Sequence, residues 1–329
     1  MSPKLSLCMI VRNEQDYLPK CLASVKGIVD EIVVVDTGST DNTLRIAEQH
    51  GARVVNQKWG NDFSSARNKS LELATGDWIL VLDADEELSP ETRAKIKSLI
   101  SGTKADGLEV CVRSQLPEGD AAVFEDTILV RLFRNKKDYR YFLPIHEQIR
   151  QSIERHGGTI APSDLMITHH GYAKGEVQGI ESRAERNLKL LYSTLTDSKD
   201  NPYIHYQLGA TLMSVGKRDE AYEHLTKVLR MDYTGLGSSI LDKLYMKISQ
   251  LSLERNKFGE AIEFAEKSLE HNPHNEISQY VAAIGYLSNK QIKEGYSYLL
   301  RIRETRDGNL RIGAQLSDLI SACEKALNI

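Results

Sequence analysis

Four acids in five residues, Asp83-Ala84-Asp85-Glu86-Glu87, follow directly on an unbroken apolar run, Trp78-Ile79-Leu80-Val81-Leu82. Such a run suits a strand buried on both faces of a sheet. Acids at the carboxyl end of a buried parallel strand lie in the crevice where open α/β sheets bind ligands. Side chains alternate along an extended chain, so Asp83 and Asp85 point to the same side. Two convergent carboxylates form a hard-oxygen site suited to Mg²⁺ or Mn²⁺ carrying a phosphate. A structural reading is compatible with the same residues. Ser89-Pro90-Glu91 reads as a helix N-cap, an N1 proline and an acidic first turn.

A second strand-like run, Glu31-Ile32-Val33-Val34-Val35-Asp36, also ends in an acid and opens into Thr37-Gly38-Ser39-Thr40-Asp41. In nucleotide-binding α/β folds an acid at this place commonly bonds ribose hydroxyls or a base edge. A simple turn and helix cap is the alternative. Neither GxGxxG nor GxxxxGK[ST] occurs, so a dinucleotide dehydrogenase and a P-loop NTPase are both unsupported. Arg67, in Asp62-Phe63-Ser64-Ser65-Ala66-Arg67-Asn68, stands near a helix start where a guanidinium can clamp a phosphate. The alternative is an ordinary surface arginine.

These residues need a scaffold, and the periodicities supply one. Strands are expected over 5–11, 31–36, 53–56, 78–82, 107–113 and 127–134, with helices over 15–26, 43–50, 63–75 and 90–100. Strand-helix-strand-helix-strand order predicts right-handed crossovers and a parallel sheet. From about residue 179 the pattern is helical throughout, which divides the chain into domains at 1–178 and 179–329. Gly209, Gly216 and Ala221 occupy small-residue places of a tetratricopeptide repeat, and Ala261 and Gly295 continue them. Ala261 to Gly295 spans one unit of about 34 residues. The longer step from Ala221 to Ala261 fits an insertion around 233–239. Three units over 201–309 and a capping helix over 310–327 form a small solenoid. Its concave face would bind an extended peptide or pack against a second copy as a homodimer; buttressing the first domain is the plainer role.

The bulk numbers narrow the class. With 41% hydrophobic and 27% charged residues, the 329-residue chain is of soluble globular composition. A net charge of −4 without a dense basic tract argues against a nucleic-acid binder. Cys8, Cys21, Cys111 and Cys323 form no CxxC pair, so zinc and disulfide roles are not expected. Cys8 and Cys111 fall in apolar runs and are expected to be buried free thiols. No signal-peptide pattern opens the chain, and no apolar stretch approaches about 18 residues, so the expectation is a cytoplasmic protein without a membrane span.

Four segments, taken in order, resemble family-2 glycosyltransferases: Cys8-Met9-Ile10-Val11-Arg12-Asn13-Glu14, Asp36-Thr37-Gly38-Ser39-Thr40-Asp41, Phe63-Ser64-Ser65-Ala66-Arg67-Asn68, and the run from Trp78 to Glu87. The resemblance implies an α/β GT-A fold, Rossmann-like with a mostly parallel sheet, joined here to the all-α repeat domain. It implies a UDP-sugar donor, Mn²⁺ or Mg²⁺ held through the Asp-X-Asp motif, and inversion by one in-line displacement. It places Val11, Arg12, Asn13, Glu14, Asp36, Gly38, Ser39, Arg67, Asp83 and Ala84 around the nucleotide-sugar, with Asp36 toward the uracil-ribose part. Asp83 touches the ribose or the metal, and Asp85 binds the metal.

Bacterial members joined to helical repeats carry an Ile-His-Glu and a later His-X-Gly-Tyr, similar to Ile145-His146-Glu147 and His169-His170-Gly171-Tyr172. An inverting transfer needs a base within reach of the acceptor. Glu147 is the first candidate, His146 its helper or alternative, and Asp126 the third. Alternatively His146 and Glu147 only close the acceptor pocket. His169 completes the metal shell or contacts the diphosphate, unless it is a satisfied histidine beneath the site. The expected activity is transfer of a hexose or N-acetylhexosamine to a Cys, Ser or Thr side chain of a peptide or protein, as in sublancin-type peptide glycosyltransferases. Transfer to flagellin or a cell-surface glycan, or a repeat scaffold with an inactive transferase domain, are the alternatives.

Overall fold

The computed structural model describes residues 2–116, 123–170, 177–197, 201–304 and 313–329. The chain divides into two units, Met1–Val177 and Gln178–Ile329. In the first, β1 (Leu5–Val11), α1 (Leu18–Val25), β2 (Glu31–Asp36), α2 (Thr43–Gln49), β3 (Arg53–Asn56), α3 (Phe63–Leu73) and β4 (Trp78–Val81) alternate without interruption. There follow β5 (Glu86–Leu88), α4 (Pro90–Gly102), β6 (Gly107–Leu116), β7 (Val123–Arg134), α5 (Arg150–Arg155), β8 (Ile160–Ala161) and β9 (Met166–His169).

One sheet runs β3-β2-β1-β4-β7-β6-β9-β5, with β8 beside β6. The stretch β3-β2-β1-β4 is parallel throughout, as helical crossovers require. Beyond β4 the sheet is mixed, because only six residues separate β6 from β7, too few for a crossover, so that pair is antiparallel. β7 then joins β4 antiparallel. The β6–β7 register shifts between Leu108 and Glu109, which face Leu132 and Val130, so Arg131 is an extra residue in the ladder.

Alternation along the strands sends side chains into two cores. Leu7, Met9, Trp78 and Leu80 pack with Leu22 and Ile96 on one face. Cys8, Ile79 and Val81 pack with Leu71 and Ile153 on the other. All four residues of β4 are buried, so the strand that carries the acids has no solvent face. The cysteines are free, and Cys8, Cys21 and Cys323 are buried. Cys111 is only half-buried, contrary to the sequence expectation: it lies opposite Ile128, itself 47% exposed, on a stretch of hairpin face that the core leaves open.

The second unit is helical: α6 (Val177–Asp197), α7 (Pro202–Ser214), α8 (Arg218–Val228), α9 (Ser238–Glu254), α10 (Phe258–His271), α11 (Glu276–Ser288), α12 (Ile292–Glu304) and α13 (Gly313–Leu327). The longer link between α8 and α9 covers the expected insertion. Ala221 and Ala261 are fully buried. Gly216 departs from its expected packing role: with φ +77 it is the left-handed residue that ends α7, a conformation glycine adopts without strain. Among the described residues no helix is long and apolar enough to cross a membrane.

Gly209 is small for a packing reason. A Cβ there would lie 2.4 Å from Leu225 Cγ and 3.1 Å from the Ala221 carbonyl oxygen. Alanine's better helix propensity, about 1 kcal/mol, is therefore outweighed. Gly209→Ala is expected to destabilise the protein by about 1–3 kcal/mol, the usual result of overpacking, and a lower urea midpoint at unchanged slope reads it out.

Candidate active site

The acidic turn is folded by its own third acid. Glu86 is 1% exposed, its Oε2 accepts from the Asp83 backbone N–H at 2.8 Å, and its own N–H donates to the Asp83 carbonyl at 3.1 Å. β5 pairs antiparallel with β9, setting Glu86 opposite His169, and the His170 N–H donates to the Asp85 carbonyl at 2.9 Å. This pairing carries the His169 imidazole to Asp85, with Nε2 3.2 Å from Oδ2, while Nδ1 meets Ser114 Oγ at 3.0 Å. Burial opposes a charge on His169, but Asp85, Glu86 and Asp83 together raise its pKa above the ordinary value. Ser89 caps α4 through the Thr92 N–H at 3.1 Å, so the expected helix cap is present directly after the acidic turn.

Asp83 takes a different place from Asp85. Its Oδ1 lies 2.6 Å from Arg67 Nη2 and its Oδ2 3.1 Å from Arg131 Nη2. Arg67 Nε reaches Glu147 Oε1 at 2.6 Å, and Arg131 Nη2 also reaches Glu86 Oε1 at 2.8 Å. The result is a chain of alternating charge, Glu147–Arg67–Asp83–Arg131–Glu86. Burial pushes the Asp83 carboxyl up, and the two guanidiniums more than offset it, holding it well below the usual carboxylate range. For Glu86 burial wins, and its pKa is raised.

Arg67 is buried rather than on the surface, and the motif around it explains why. Asp62 caps α3 by accepting from the Ser65 N–H at 2.9 Å. Ser64 Oγ donates to the Leu143 carbonyl at 2.6 Å, and the Phe63 N–H donates to the Pro144 carbonyl at 2.8 Å. Asn68 exchanges two hydrogen bonds with the Tyr141 backbone at 2.8 and 2.9 Å. These bonds fasten residues 141–144 to the start of α3. The segment then turns back, Phe142 pairing with Gln148, and delivers Glu147 to Arg67. His146 sits in this loop at φ +52, a conformation that non-glycine residues seldom adopt.

The loops after β1 and β2 form a second cluster. Asp36 is 3% exposed, and its carboxylate accepts from the Gly38 N–H at 2.9 Å, the Ser39 N–H at 3.0 Å and the Ser39 hydroxyl. The turn reading of Asp36 therefore describes its contacts within the chain. Asn13, at φ +57, donates its N–H to Ser39 Oγ at 2.9 Å, and its Oδ1 accepts from the Thr40 N–H at 2.8 Å. The Glu14 N–H donates to Thr43 Oγ1 at 2.7 Å. Arg12 is exposed, Val11 and Ala84 are buried, and Gly38 at φ +115 occupies a conformation that requires glycine.

Asp126 is not brought to the acids. It is held by Arg113 at 2.7 and 2.8 Å, on the strand face of Ile128 rather than that of Ser114, and this pair lowers its pKa. Gly171 and Tyr172 lie outside the described residues. Sequence reasoning missed Arg131 and Ser114. The available signal for Arg131 was a lone charge inside an apolar strand, Leu129-Val130-Arg131-Leu132-Phe133, where a buried arginine requires a carboxylate partner.

The donor set fits a divalent ion in part. A carboxylate oxygen of Asp85 and an imidazole nitrogen of His169 lie side by side, a pairing suited to a borderline metal such as Mn²⁺. Both Asp83 oxygens face guanidiniums, and among the described residues no group of three or more His, Cys, Asp or Glu side chains is arranged to hold a metal. Any ion would complete its shell from a bound phosphate and water, as Mg²⁺ commonly does.

Comparison with known proteins accords with this geometry. Residues 6–153 match glycosyl transferase family 2, and residues 202–234 match a tetratricopeptide repeat. A TPR repeat-containing protein of Synechococcus elongatus is 39% identical over 233 residues, 69% of this chain and 57% of the relative. The SPbeta prophage-derived glycosyltransferase SunS of Bacillus subtilis is 30% identical over 262 residues, 78% of this chain and 60% of its own length. The chain thus spans about three fifths of the length of these curated relatives. Among solved structures, S. aureus TarS 1-349 in complex with UDP-GlcNAc aligns with 88% of this chain, and 92% of its own, at 16% identity and a TM-score of 0.46, a loose likeness. The chain carries a glycosyl transferase family 2 domain, which holds the acidic turn and its arginines, followed by a tetratricopeptide repeat.

Proposed function

We propose that the protein is a metal-dependent inverting glycosyltransferase that moves a hexose or N-acetylhexosamine from a UDP-sugar to a Cys, Ser or Thr side chain of a peptide or protein. The observation that carries the reading is the union, at the strand ends of a family-2 domain, of the Asp85–His169 pair with the Glu147–Arg67–Asp83–Arg131–Glu86 chain. Asp85 and His169 would hold Mn²⁺ or Mg²⁺, whose charge offsets that of the departing diphosphate. The Asp36, Asn13 and Ser39 loops would receive the nucleoside. Asp83, with both oxygens already engaged, would fix the turn rather than ligate the ion. The peptide acceptor is favoured by the repeats, since helical solenoids offer extended binding surfaces.

Glu147 remains the proposed base. Its Oε1 is spent on Arg67, leaving Oε2 to take the acceptor proton, and His146 beside it is the helper. Glu147→Gln keeps an acceptor for Arg67 Nε while removing the basic oxygen. It is expected to lower kcat by about 100-fold, the low end for general-base catalysis, with UDP affinity nearly unchanged. Loss of UDP binding at unchanged kcat would move Glu147 out of the base role. The whole reading is tested by calorimetric titration of UDP, GDP and dTDP, each with Mn²⁺ and with EDTA. Manganese-dependent UDP binding, followed by a hexose or N-acetylhexosamine mass increment on a peptide, is the expected result; absence of nucleotide binding under every condition would overturn it.

A further inference from the structure

We propose that Arg131 is the positioning residue of this site, fixing the Asp83–Glu86 turn and through it the direction of Asp85; its catalytic consequence rests on the glycosyltransferase reading above. The first observation is the ladder itself. With Leu132 opposite Leu108 and Val130 opposite Glu109, Arg131 is the residue bulged out of β7. A bulge re-aims a side chain, and in regular alternation Val130 and Leu132, two residues apart, would share one face. Its neighbours Val130 and Leu132 pack into opposite cores.

The second observation is a closed circuit. Arg131 Nη2 lies 3.1 Å from Asp83 Oδ2 and 2.8 Å from Glu86 Oε1, and Glu86 Oε2 returns to the Asp83 backbone N–H at 2.8 Å. One guanidinium thus ties the side chain of Asp83 to the acid that holds the Asp83 backbone. Arg67 meets only the other oxygen of Asp83 and does not reach Glu86. Glu86 is 1% exposed and Arg131 9%, so their pair is shielded from water, while the Asp83 side chain keeps 36% of its surface exposed. Asp85 follows two residues after Asp83, and its orientation toward His169 is inherited from this turn. Arg131 acts through Asp83 and Glu86, the carboxylates its Nη2 reaches.

The test compares Arg131→Gln and Arg131→Lys with Val130→Ala, a neighbouring core truncation in β7 outside the site. Kinetics follow UDP release from UDP-sugar with Mn²⁺, and amide hydrogen exchange follows residues 83–88 in the protein without nucleotide. Arg131→Gln is expected to lower kcat by about 100-fold, the scale of a 1 Å misplacement, and to speed exchange at the Asp83 amide at least about tenfold. Arg131→Lys, a point charge in place of a fork, is expected to fall between wild type and Gln. Val130→Ala is expected to leave kcat within about twofold, even where its stability loss equals that of Arg131→Gln.

A folded Arg131→Gln protein with wild-type kcat and wild-type exchange would overturn the proposal. So would an equal loss of kcat in Val130→Ala. If Arg131→Gln alone fails to fold, Glu86→Gln/Arg131→Gln, which leaves no unpaired buried charge, is read in the same assays with the same expectations. If the wild-type protein neither binds nucleotide nor releases UDP, the glycosyltransferase reading falls, while the exchange measurement still decides the role of Arg131.

Discussion

Asp85→Asn is expected to abolish manganese-dependent UDP binding and to reduce transfer by at least about 10³-fold, equivalent to some 4 kcal/mol of transition-state stabilisation. The effect is one of charge and not of shape. Asparagine has the same outline, and the contact from the His170 N–H goes to the backbone carbonyl of residue 85, which the substitution leaves in place. What disappears is the anionic oxygen beside His169 Nε2. Asp83 cannot take over, because releasing either of its oxygens breaks a pair with Arg67 or Arg131. The fold is expected to tolerate the change, since a partly exposed Asp–His pair contributes only about 0–1 kcal/mol. Titration of UDP with and without Mn²⁺, set beside a thermal melt, separates the two effects. Unchanged, EDTA-insensitive UDP affinity in Asp85→Asn would refute the metal role.

Much of the first unit was legible because apolar period and length decide buried parallel strands. β3 falls on the expected residues 53–56, and β4 carries its acids where the apolar run ends. The missed features are non-local. β5 is two acids and a leucine, with no strand propensity of its own, and it is a strand only because β9 pairs with it. The bulge at Arg131 depends on the register of β6, more than 20 residues away. Asp83 shows the same limit from the other side. The expected convergence of Asp83 and Asp85 assumed an extended chain, but residues 84 and 85 form a turn, and α3, β7 and β9 together set Asp83 against guanidiniums and Asp85 against an imidazole. In the repeat unit, Gly209 could be assigned to packing from its spacing. Gly216, seven residues on, proved to end a helix, a distinction that spacing alone does not make.

Arg67→Met is expected to be the most destabilising single change in this site. Arg67 is buried and lies 2.6 Å from both Glu147 and Asp83, so its removal leaves two carboxylates facing an apolar side chain. Breaking a buried pair by deleting one partner costs about 3–5 kcal/mol; the lower figure applies because Asp83, its side chain 36% exposed, still reaches water and keeps Arg131. The pH dependence has a defined sign. Asp83 titrates below its ordinary range when folded, so its pairing contributes stability above that range and loses it as pH falls through the folded value. Loss of Arg67 is therefore expected to lower stability more at pH 7 than at pH 3. Adding Glu147→Gln removes one of the two stranded charges and is expected to recover about 1 kcal/mol, a coupling that separate, additive effects would not give. Urea unfolding of wild type, both single variants and the double variant at the two pH values measures each quantity. Wild-type stability in Arg67→Met would mean that the alternating chain of charge is not formed in solution, and Asp83 would then become available as a metal ligand after all.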